Sequence, residues 1–343
     1  MTSATLQQEL SAWRSFHLFY HGERDRVLLD FLRPAAAQLL AEGLADRFYF
    51  MRYGLGGPHL RLRFRAVRGR EVALAAAVER LGGDFLARHP STASLPAAEL
   101  ERHQAAFLID SQESDTAIYP DNSLVEMPPI FEIERYGGPE LFPAALDFFG
   151  ISSLEALAFL ATSRVTPAAK LTTRRLRFLI RQAGGFAEDD AEFERLVGYA
   201  LDTWGEAMPT LVQRGDETFD KQPEALVNLV LVELANLAAA PPPLAVAASA
   251  LRRQVSGASS EVRTRLLSSQ LHLSANRLGL LNPEEVYLGR ILVRASRAAR
   301  EAGSWSAGWP AVATPAAAKS CAELLELALA DFQAAPSALL ASL

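Results

Sequence analysis

Residues 47–67 read RFYFMRYGLGGPHLRLRFRAV, and this stretch indicates how the chain begins to fold. An aromatic-rich run over 47–53 is followed by a glycine-rich segment, 54–58, whose residue types are typical of turns. From residue 59 to 67, apolar and polar side chains alternate strictly, which is the period of a half-buried strand. The stretch therefore predicts two strands that pair as a hairpin.

The segments around the hairpin predict both strands and helices. Residues 13–20 predict an apolar strand, and helically spaced apolar side chains predict helices over 25–44 and 69–89. Residues 110–129 are irregular and polar, and 130–135 predict another strand. The second half of the chain is mainly helical. Its predicted helices are 154–163, 172–182, 192–211, 223–238, 261–278, 283–300 and 322–333, with the prolines at 241–243 as a rigid connector.

These elements indicate an α+β fold, with early antiparallel-type strands and a mainly α-helical second half. We expect one domain over residues 1–343, with an extra helical tail from about residue 301. Half of the 343 residues are apolar, so the chain can bury a sizeable core.

Composition argues against several classes of protein. The net charge of −6, from 34 basic and 40 acidic residues, argues against a general nucleic-acid-binding protein. The single cysteine, Cys321, excludes an internal disulfide framework and a cysteine-based metal centre within one chain. Residues 1–20 lack a secretory signal pattern, and no other stretch predicts a membrane span. We therefore expect a cytoplasmic protein without a membrane partner.

The motifs of common cofactor sites are absent from the sequence. His17 and His21 are closely spaced, but they lie in a predicted strand and turn and lack the helical pattern of a zinc protease. The glycine-rich phosphate-binding patterns and the serine elbow of hydrolases do not occur. The sequence therefore predicts neither a metal site nor a cofactor.

The second hairpin strand carries a row of cations. Its two-residue period directs Leu60, Leu62 and Phe64 to one face. Aligned arginines repel one another, so they are expected to meet carboxylates, either internal or on a ligand. A solvated sheet face with internal glutamate partners is the alternative. The residues on the cationic face are His59, Arg61, Arg63 and Arg65.

The end of the first hairpin strand is a second candidate position. Arg52 and Tyr53 lie beside the glycine-rich turn, where a ligand can approach the backbone closely. For Arg52, a structural ion pair is the alternative.

The predicted helix 261–278 carries a polar stripe. His272 and Asn276 are four residues apart and share a face with Arg265 and Ser268, next to Ser269. Histidine is the side chain best suited to proton transfer near neutral pH, so this stripe is a candidate pocket wall. A structural histidine is the alternative.

Two carboxylates mark the last predicted strand, 130–135. Alternation places Glu132 and Glu134 on one face, ahead of the double glycine 137–138. We expect these carboxylates to pair with the arginine row, and general-base catalysis is the less favoured alternative.

Four segments together resemble the C-terminal domain of lantibiotic dehydratases. The resemblance runs from about residue 13 to 300, and it depends on the order and wide separation of short motifs. The segments are FMRY at 50–53, GPHLRLRF at 57–64, EIERYGG at 132–138 and LHLSANRL at 271–278.

In that family, the domain removes glutamate from a glutamylated Ser or Thr of a precursor peptide and leaves a dehydroamino acid. Arginines hold the leaving carboxylate, and a histidine assists proton transfer. By motif position, the resemblance implies that Arg52 matches the family's arginine and His272 its histidine. Arg14 is the candidate for a second basic residue nearer the N-terminus.

Stand-alone relatives in thiopeptide pathways take two forms, the glutamate-eliminating half of a split dehydratase and the pyridine synthase. The extra tail from about residue 301 favours the synthase, and so does the amino-acid sequence of residues 269–280. The resemblance then implies that two dehydroalanines of a leader-bearing precursor peptide are joined by a formal aza-[4+2] cycloaddition. A non-catalytic peptide-binding partner is the third alternative.

The implied reaction needs orientation and proton transfers more than a nucleophile. His272 and nearby hydroxyls, on Ser268, Ser269 or Tyr53, are the candidate proton-transfer groups, with Asn276 as a substrate-binding residue. The arginine row is a candidate binding site for an acidic leader peptide. The helical half also offers a surface on which a homodimer could form by a two-fold interface.

Overall fold

The structure, a computed structural model, describes residues 3–96, 98–101, 117–304, 309 and 319–334. The chain forms two compact units, residues 1–131 with 328–343 and residues 132–327. The first unit contains a sheet covered by helices, and the second is helical. The fold is therefore α+β with a helical second half, as the sequence predicts, whereas one domain over 1–343 stays a prediction.

The first unit contains a four-stranded sheet in the order β2-β3-β1-β4, and every neighbouring pair is antiparallel. The predicted hairpin is confirmed as β2 and β3, joined by the glycine-rich turn. Gly57 has φ +116° in this turn, a conformation that other residues rarely adopt. The strands are β1 (Trp13–Phe19), β2 (Ala45–Tyr53), β3 (His59–Ala66) and β4 (Ser123–Met127).

Strand β4 corrects the prediction that residues 110–129 are irregular, although residues 110–116 lie outside the described part. It is a short strand at the edge of the described sheet, where it pairs with β1. Its sequence, SLVEM, is too short for a clear alternation, so its pairing with a distant strand defines it.

Helices of the first unit pack on one face of the sheet. That face carries Phe16, Leu18, Leu60 and Leu62, all fully buried, and the close approach of Gly82 to Leu124 places α4 against it. The helical elements are α1 (Ser3–Leu10), α2 (Arg24–Val27), a π-helical turn (Leu28–Leu32), α3 (Arg33–Ala41) and α4 (Glu71–Arg88).

The second unit begins with a correction. The strand predicted over 130–135 is absent, and Ile133–Tyr136 form a 3-10 turn. Gly137 and Gly138 have φ +86° and +80°, and the Gly138 N–H donates to the Ile133 carbonyl oxygen at 3.0 Å. The segment therefore makes local backbone hydrogen bonds of a turn instead of a strand ladder.

Long helices form the rest of the second unit. They are α5 (Phe142–Ser163), α6 (Ala168–Phe186), α7 (Asp190–Ala200), a π-helical turn (Leu201–Gly205), α8 (Pro209–Lys221), α9 (Pro223–Ala239), α10 (Pro243–Gln254), α11 (Ser260–Arg277) and α12 (Asn282–Glu301). The helix α13 (Cys321–Ala334) confirms the predicted C-terminal helix.

One predicted helix boundary is wrong, because the helix predicted over 192–211 ends before Pro209. The proline run at 241–243 connects α9 to α10, as predicted, and Pro243 is the first residue of α10. Proline lacks the backbone N–H that a helix interior requires, but its fixed φ suits the first turn of a helix.

In the described part of the chain, one helix and one bent helix pair have the length and apolar composition of a membrane span. The helix is α5, and the pair is α9 with α10, bent by 77°. Helix α5 also carries the charged residues Asp147 and Glu155, so it is not the uncharged apolar stretch whose absence the sequence predicts. In α5, 72% of the most apolar segment is buried within the protein, so its apolar side chains form part of the helical core.

Candidate active site

One face of α11 lines a cleft in the second unit, here called the α11 cleft. Thr264, Arg265, Ser268, Ser269 and His272 lie one and two turns apart along that face. The predicted helix is thus confirmed, and so is the shared face of Arg265, Ser268 and His272. The N-cap residue that precedes the helix is Ser259, whose side-chain oxygen accepts from the Val262 N–H at 3.3 Å.

The opposite wall of the α11 cleft comes from three other elements. Helix α7 contributes Arg195 and Tyr199, the following π-helical turn contributes residues 202–204, and the 3-10 turn contributes Arg135. The cleft has a volume of about 470 Å³, within the range of small-molecule and peptide sites. Its lining residues are Arg135, Arg195, Tyr199, Asp202, Thr203, Trp204, Thr264, Arg265, Ser268, Ser269 and His272.

A buried carboxyl group lies behind His272. Nδ1 of His272 is 3.1 Å and 3.2 Å from the two carboxyl oxygens of Glu285, and the Tyr199 hydroxyl donates to the same carboxyl. Nε2 has no hydrogen-bond partner among the described residues. The imidazole is 22% exposed and the Glu285 side chain 2%. Of the His272–Glu285 pair, His272 is thus the member that meets the cleft.

Burial shifts the pKa values of this pair in opposite directions. Desolvation, together with the smaller effect of the nearby charges of Arg135 and Arg277, lowers the pKa of His272 to about 4. Desolvation raises the pKa of Glu285 well above its usual value. The two groups are in contact, so their titration belongs to the pair. The pair favours zero net charge, with one proton held between the two groups.

Aromatic rings shape the cleft around His272. The Trp204 ring lies 5.3 Å from the imidazole at an interplanar angle of 57°, and the Tyr199 ring lies 6.4 Å from it. The π-helical turn that follows α7 contains Trp204, and such turns occur frequently at functional sites.

The lining of the α11 cleft is cationic. The Arg135 Nε donates to the Ser269 hydroxyl at 3.1 Å, and its Nη1 lies 3.5 Å from a Glu132 carboxylate oxygen. Arg195 and Arg265 have no hydrogen bond or ion pair within the described part of the chain. Three guanidinium groups face one acidic lining residue, Asp202.

The predicted residues of the second unit are only partly brought together. Ser268, Ser269 and His272 line the same cleft. Asn276 lies one turn further along α11 and is not among the lining residues. Glu132 pairs with Arg135 and lies outside any strand, so the predicted strand face shared with Glu134 is wrong.

In the first unit, the sheet separates Arg52 from Tyr53. Arg52 is opposite Leu60 and Tyr53 is opposite His59, and directly paired residues share a face. The Arg52 Nη2 donates to an Asp25 carboxylate oxygen at 2.5 Å, on the helix-covered face. This geometry supports the structural alternative for Arg52, and a role in the reaction stays a prediction for both residues.

The arginine row is mostly buried. Arg61 and Arg63 are 5% and 3% exposed, so the alternative of a solvated sheet face is wrong for these two residues. Arg61 stacks over the Tyr53 ring at 3.4 Å, and Arg63 donates to the Tyr49 hydroxyl and the Ile130 carbonyl oxygen, both at 2.8 Å. Carboxylates were predicted as the partners of these arginines, but aromatic rings, a hydroxyl group and a carbonyl oxygen are among the groups that contact them.

The other predicted basic residues of the first unit have local partners. Arg65 forms a bidentate ion pair with Asp46 at 2.7 Å and 2.8 Å. Arg14 pairs with Glu126. The His59 ring is buried, and burial lowers its pKa to about 3. Substrate binding by these residues stays a prediction.

Sequence reasoning missed Arg135, Tyr199, Trp204 and Glu285. Arg135 belonged to a segment read as a strand, and Tyr199 and Trp204 lay inside a predicted helix without a polar stripe. Glu285 follows Pro283 in the first turn of α12, where an acidic residue is ordinary. Only the folded chain brings them to His272.

The described residues include no group of three or more His, Cys, Asp or Glu side chains positioned to hold a metal ion. The donor set of the α11 cleft, mostly guanidinium, hydroxyl and aromatic groups, suits an organic ligand.

Solved structures with similar folds include TbtD, MibB and TsrL. The pyridine synthase TbtD from thiomuracin biosynthesis is 21% identical with a TM-score of 0.67, and the match covers 85% of this chain and 99% of that one. The tRNA-dependent lantibiotic dehydratase MibB from Microbispora sp. 107891 is 19% identical with a TM-score of 0.52, and the match covers 85% of this chain but 28% of that one. TsrL is 16% identical with a TM-score of 0.50, covering 92% and 97%.

No curated protein sequence matches the chain. The family model for the C-terminal region of lantibiotic biosynthesis dehydratases matches residues 13–296. That match includes all four sequence segments that carry the resemblance, and it extends over most of both units. The chain therefore belongs to the family of lantibiotic biosynthesis dehydratase C-terminal domains.

Proposed function

We propose that this protein is a thiopeptide pyridine synthase. It joins two dehydroalanines of a leader-bearing precursor peptide by a formal aza-[4+2] cycloaddition, forms a pyridine-centred macrocycle and releases the leader. The extent of the fold carries the proposal. The match covers 99% of the stand-alone synthase TbtD, whereas it covers 28% of the dehydratase MibB.

The α11 cleft supports this reaction by its size and its shape. A volume of about 470 Å³ accommodates the two alkenes and an adjoining azole ring. Cycloaddition requires the two alkenes to be held together in one orientation, and such positioning accounts for a large part of the acceleration. The rings of Trp204 and Tyr199 offer flat surfaces against which azoles can stack.

The proton transfers of the reaction fall to His272. Loss of water and then of the leader, as a carboxamide, each require a proton at the leaving group and removal of a proton from the ring. Nε2 of His272 meets the cleft, and the hydroxyls of Ser268 and Ser269 lie on the same helix face. The cleft thus offers proton donors and acceptors, as a reaction without a covalent intermediate requires.

Reaction with defined precursor peptides tests the proposal. Purified protein is incubated with a thiazole-containing precursor that already carries two dehydroalanines, and products are identified by mass spectrometry. We expect a macrocycle and a separate leader carboxamide. The matched control is a precursor in which one dehydroalanine is replaced by alanine, since it cannot undergo the cycloaddition.

The glutamate-eliminating half of a split dehydratase is the second candidate function. The observation that favours it is the cationic lining of the cleft, because Arg135, Arg195 and Arg265 suit a glutamate carboxylate. Incubation with a glutamylated precursor tests this alternative. Product from that peptide alone would replace the synthase proposal, and product from neither peptide would favour a peptide-binding partner without catalysis.

The precursor peptide is the partner that this proposal requires. Leader binding by the arginine row has weak support, because Arg61 and Arg63 are buried and Arg65 is paired with Asp46. A cytoplasmic location and a homodimer stay predictions.

A further inference from the structure

We propose that Glu285 is the acid behind His272, and that the two side chains act as one proton donor to the α11 cleft through Nε2. The inference rests on the proposed function for its reaction, but the protonation of the pair can be measured without any substrate. Glu285 acts through His272, so it is a positioning residue that also shares a proton.

The contacts fix the order of the groups. Tyr199 donates to one carboxyl oxygen of Glu285, and His272 Nδ1 lies 3.1 Å from the other. The carboxyl group is 2% exposed and has no cationic partner among the described residues. A carboxylate there would be a buried charge held by one neutral hydroxyl and an imidazole.

The favoured state therefore has zero net charge. In this state, Glu285 carries the shared proton and donates it to Nδ1 of His272. A neutral imidazole that accepts at Nδ1 must carry its own proton on Nε2. His272 thus presents an N–H to the cleft at rest, which is the opposite of a histidine held as a base by an ionised carboxylate.

The same geometry permits the transfer. As the C–O bond of the cyclised intermediate breaks, the leaving oxygen takes the Nε2 proton and Nδ1 takes the Glu285 proton. The bonding electrons leave with the water molecule. The proton then lost from the ring returns to Nε2, and Nδ1 returns its proton to Glu285, so the pair ends as it began. Release of the leader carboxamide follows the same sequence at nitrogen.

Nearby charges stabilise the pair while it lacks a proton. Glu285 lies in the first turn of α12, where the helix dipole favours a negative charge. Arg135 and Arg277 contribute positive potential at His272, and the Tyr199 hydroxyl donates to the carboxylate. Burial and these cations oppose each other, so the pair holds its proton at rest and releases it during the reaction.

Infrared difference spectroscopy on the full chain tests the resting state. At pH 7, we expect the carbonyl band of a protonated carboxyl group, lost in Glu285→Gln and retained in Glu284→Gln. Glu284 is the matched control, because it is the preceding residue on α12 and pairs with Arg175 at 3.0 Å. Nitrogen NMR of labelled histidine, assigned with His272→Asn, should show the proton on Nε2. A missing band, or a proton on Nδ1 with Nε2 bare, would overturn the inference.

Single-turnover kinetics then test the transfer. With the precursor carrying two dehydroalanines, we expect Glu285→Gln to lose at least 100-fold in rate while leader affinity is retained, and Glu284→Gln to match the parent protein. Full activity of Glu285→Gln would also overturn the inference. If the parent protein shows the carboxyl band but converts no dehydroalanine precursor, the proposed function fails while the inferred protonation state holds.

Discussion

His272 acquires its properties from neighbours that are distant along the chain. Its carboxyl partner, Glu285, is 13 residues away in α12. That carboxyl group accepts a hydrogen bond from Tyr199, which is 86 residues from Glu285 along the chain. Desolvation of the pair, more than any local sequence feature, lowers the pKa of His272 to about 4. The residue type alone indicated that His272 can transfer protons, whereas its protonation state depends on the groups that surround it in the folded protein.

Replacement of His272 by alanine should strongly reduce turnover without loss of folding. We expect a fall in kcat of roughly 10²–10⁴-fold, because the proton donor is lost and the cleft remains. Single-turnover mass spectrometry of the macrocycle provides the measurement, and leader affinity should be unchanged. The control is His89→Ala, at the C-terminal end of α4 and outside the cleft. Normal turnover of His272→Ala would assign His272 a structural role.

Trp204 should act mainly on substrate binding. Its ring lies 5.3 Å from His272 in the wall of the cleft, where it can stack on an azole. We expect Trp204→Ala to raise KM roughly tenfold. Trp204→Phe should keep most of the affinity, since an azole ring can stack on the face of either aromatic side chain. Steady-state kinetics measure the effect. A selective loss of kcat in both variants would instead indicate that Trp204 orients His272.

At the residue scale, the sequence predicted one wall of the cleft. Ser268, Ser269 and His272 follow from helical periodicity, because residues on one helix face stay together in any fold of that helix. Tyr199 and Glu285 did not follow, since their positions depend on how α7 and α12 pack against α11.

Among the elements, the β2–β3 hairpin was the most predictable. Two-residue alternation and a glycine turn are local signals, and the register of the strands follows from the turn. The alternation could not predict whether each face of the hairpin is buried or exposed to solvent. The cationic face of β3 is buried for Arg61 and Arg63, where aromatic rings and carbonyl oxygens receive the guanidinium groups.

Close packing of α6 against α10 depends on a glycine. A Cβ at Gly185 would lie 2.6 Å from the Ala245 carbonyl oxygen and 2.8 Å from the Ala248 Cβ. We expect Gly185→Ala to lower the free energy of unfolding by roughly 1–3 kcal/mol, because backbone must move to admit the methyl group. Urea denaturation followed by circular dichroism measures the change.

Gly83 provides the matched control for that substitution. It is also a helical glycine, but a Cβ there meets no atom within 4 Å. Gly83→Ala should raise the free energy of unfolding by roughly 0.5–1 kcal/mol, because alanine favours helix. Equal destabilisation by both substitutions would contradict the packing argument.

Across the whole molecule, buried histidines make stability depend on pH. In the first unit, burial lowers the pKa of His17 to about 2 and that of His59 to about 3, and the two rings stack at 4.9 Å. In the unfolded chain, both return to the ordinary value near 6.5. Below pH 6.5 the unfolded state therefore binds protons that the folded state does not, and stability falls as the pH falls towards about 3.

The substitution His17→Phe should reduce this acid sensitivity. Between pH 6.5 and 5, we expect the parent protein to lose roughly 1–2 kcal/mol more stability than the variant, because one proton fewer is taken up on unfolding. Urea midpoints at the two pH values measure the difference. A further pair of measurements at pH 7.5, where both proteins have neutral histidines, isolates the effect of packing. Parallel loss in both proteins would exclude His17 as the source.

The sequence by itself determined the fold class, the hairpin, most helices and the face of α11 that carries His272. These features depend on periodicity, turn residues and helix ends, which act over a few residues. The tertiary structure decided that Arg135, Tyr199, Trp204 and Glu285 surround His272, that β4 completes the sheet, and that residues 133–136 form a turn. Distant segments meet through packing, and burial then sets the charge of each group, so no local pattern contains this information.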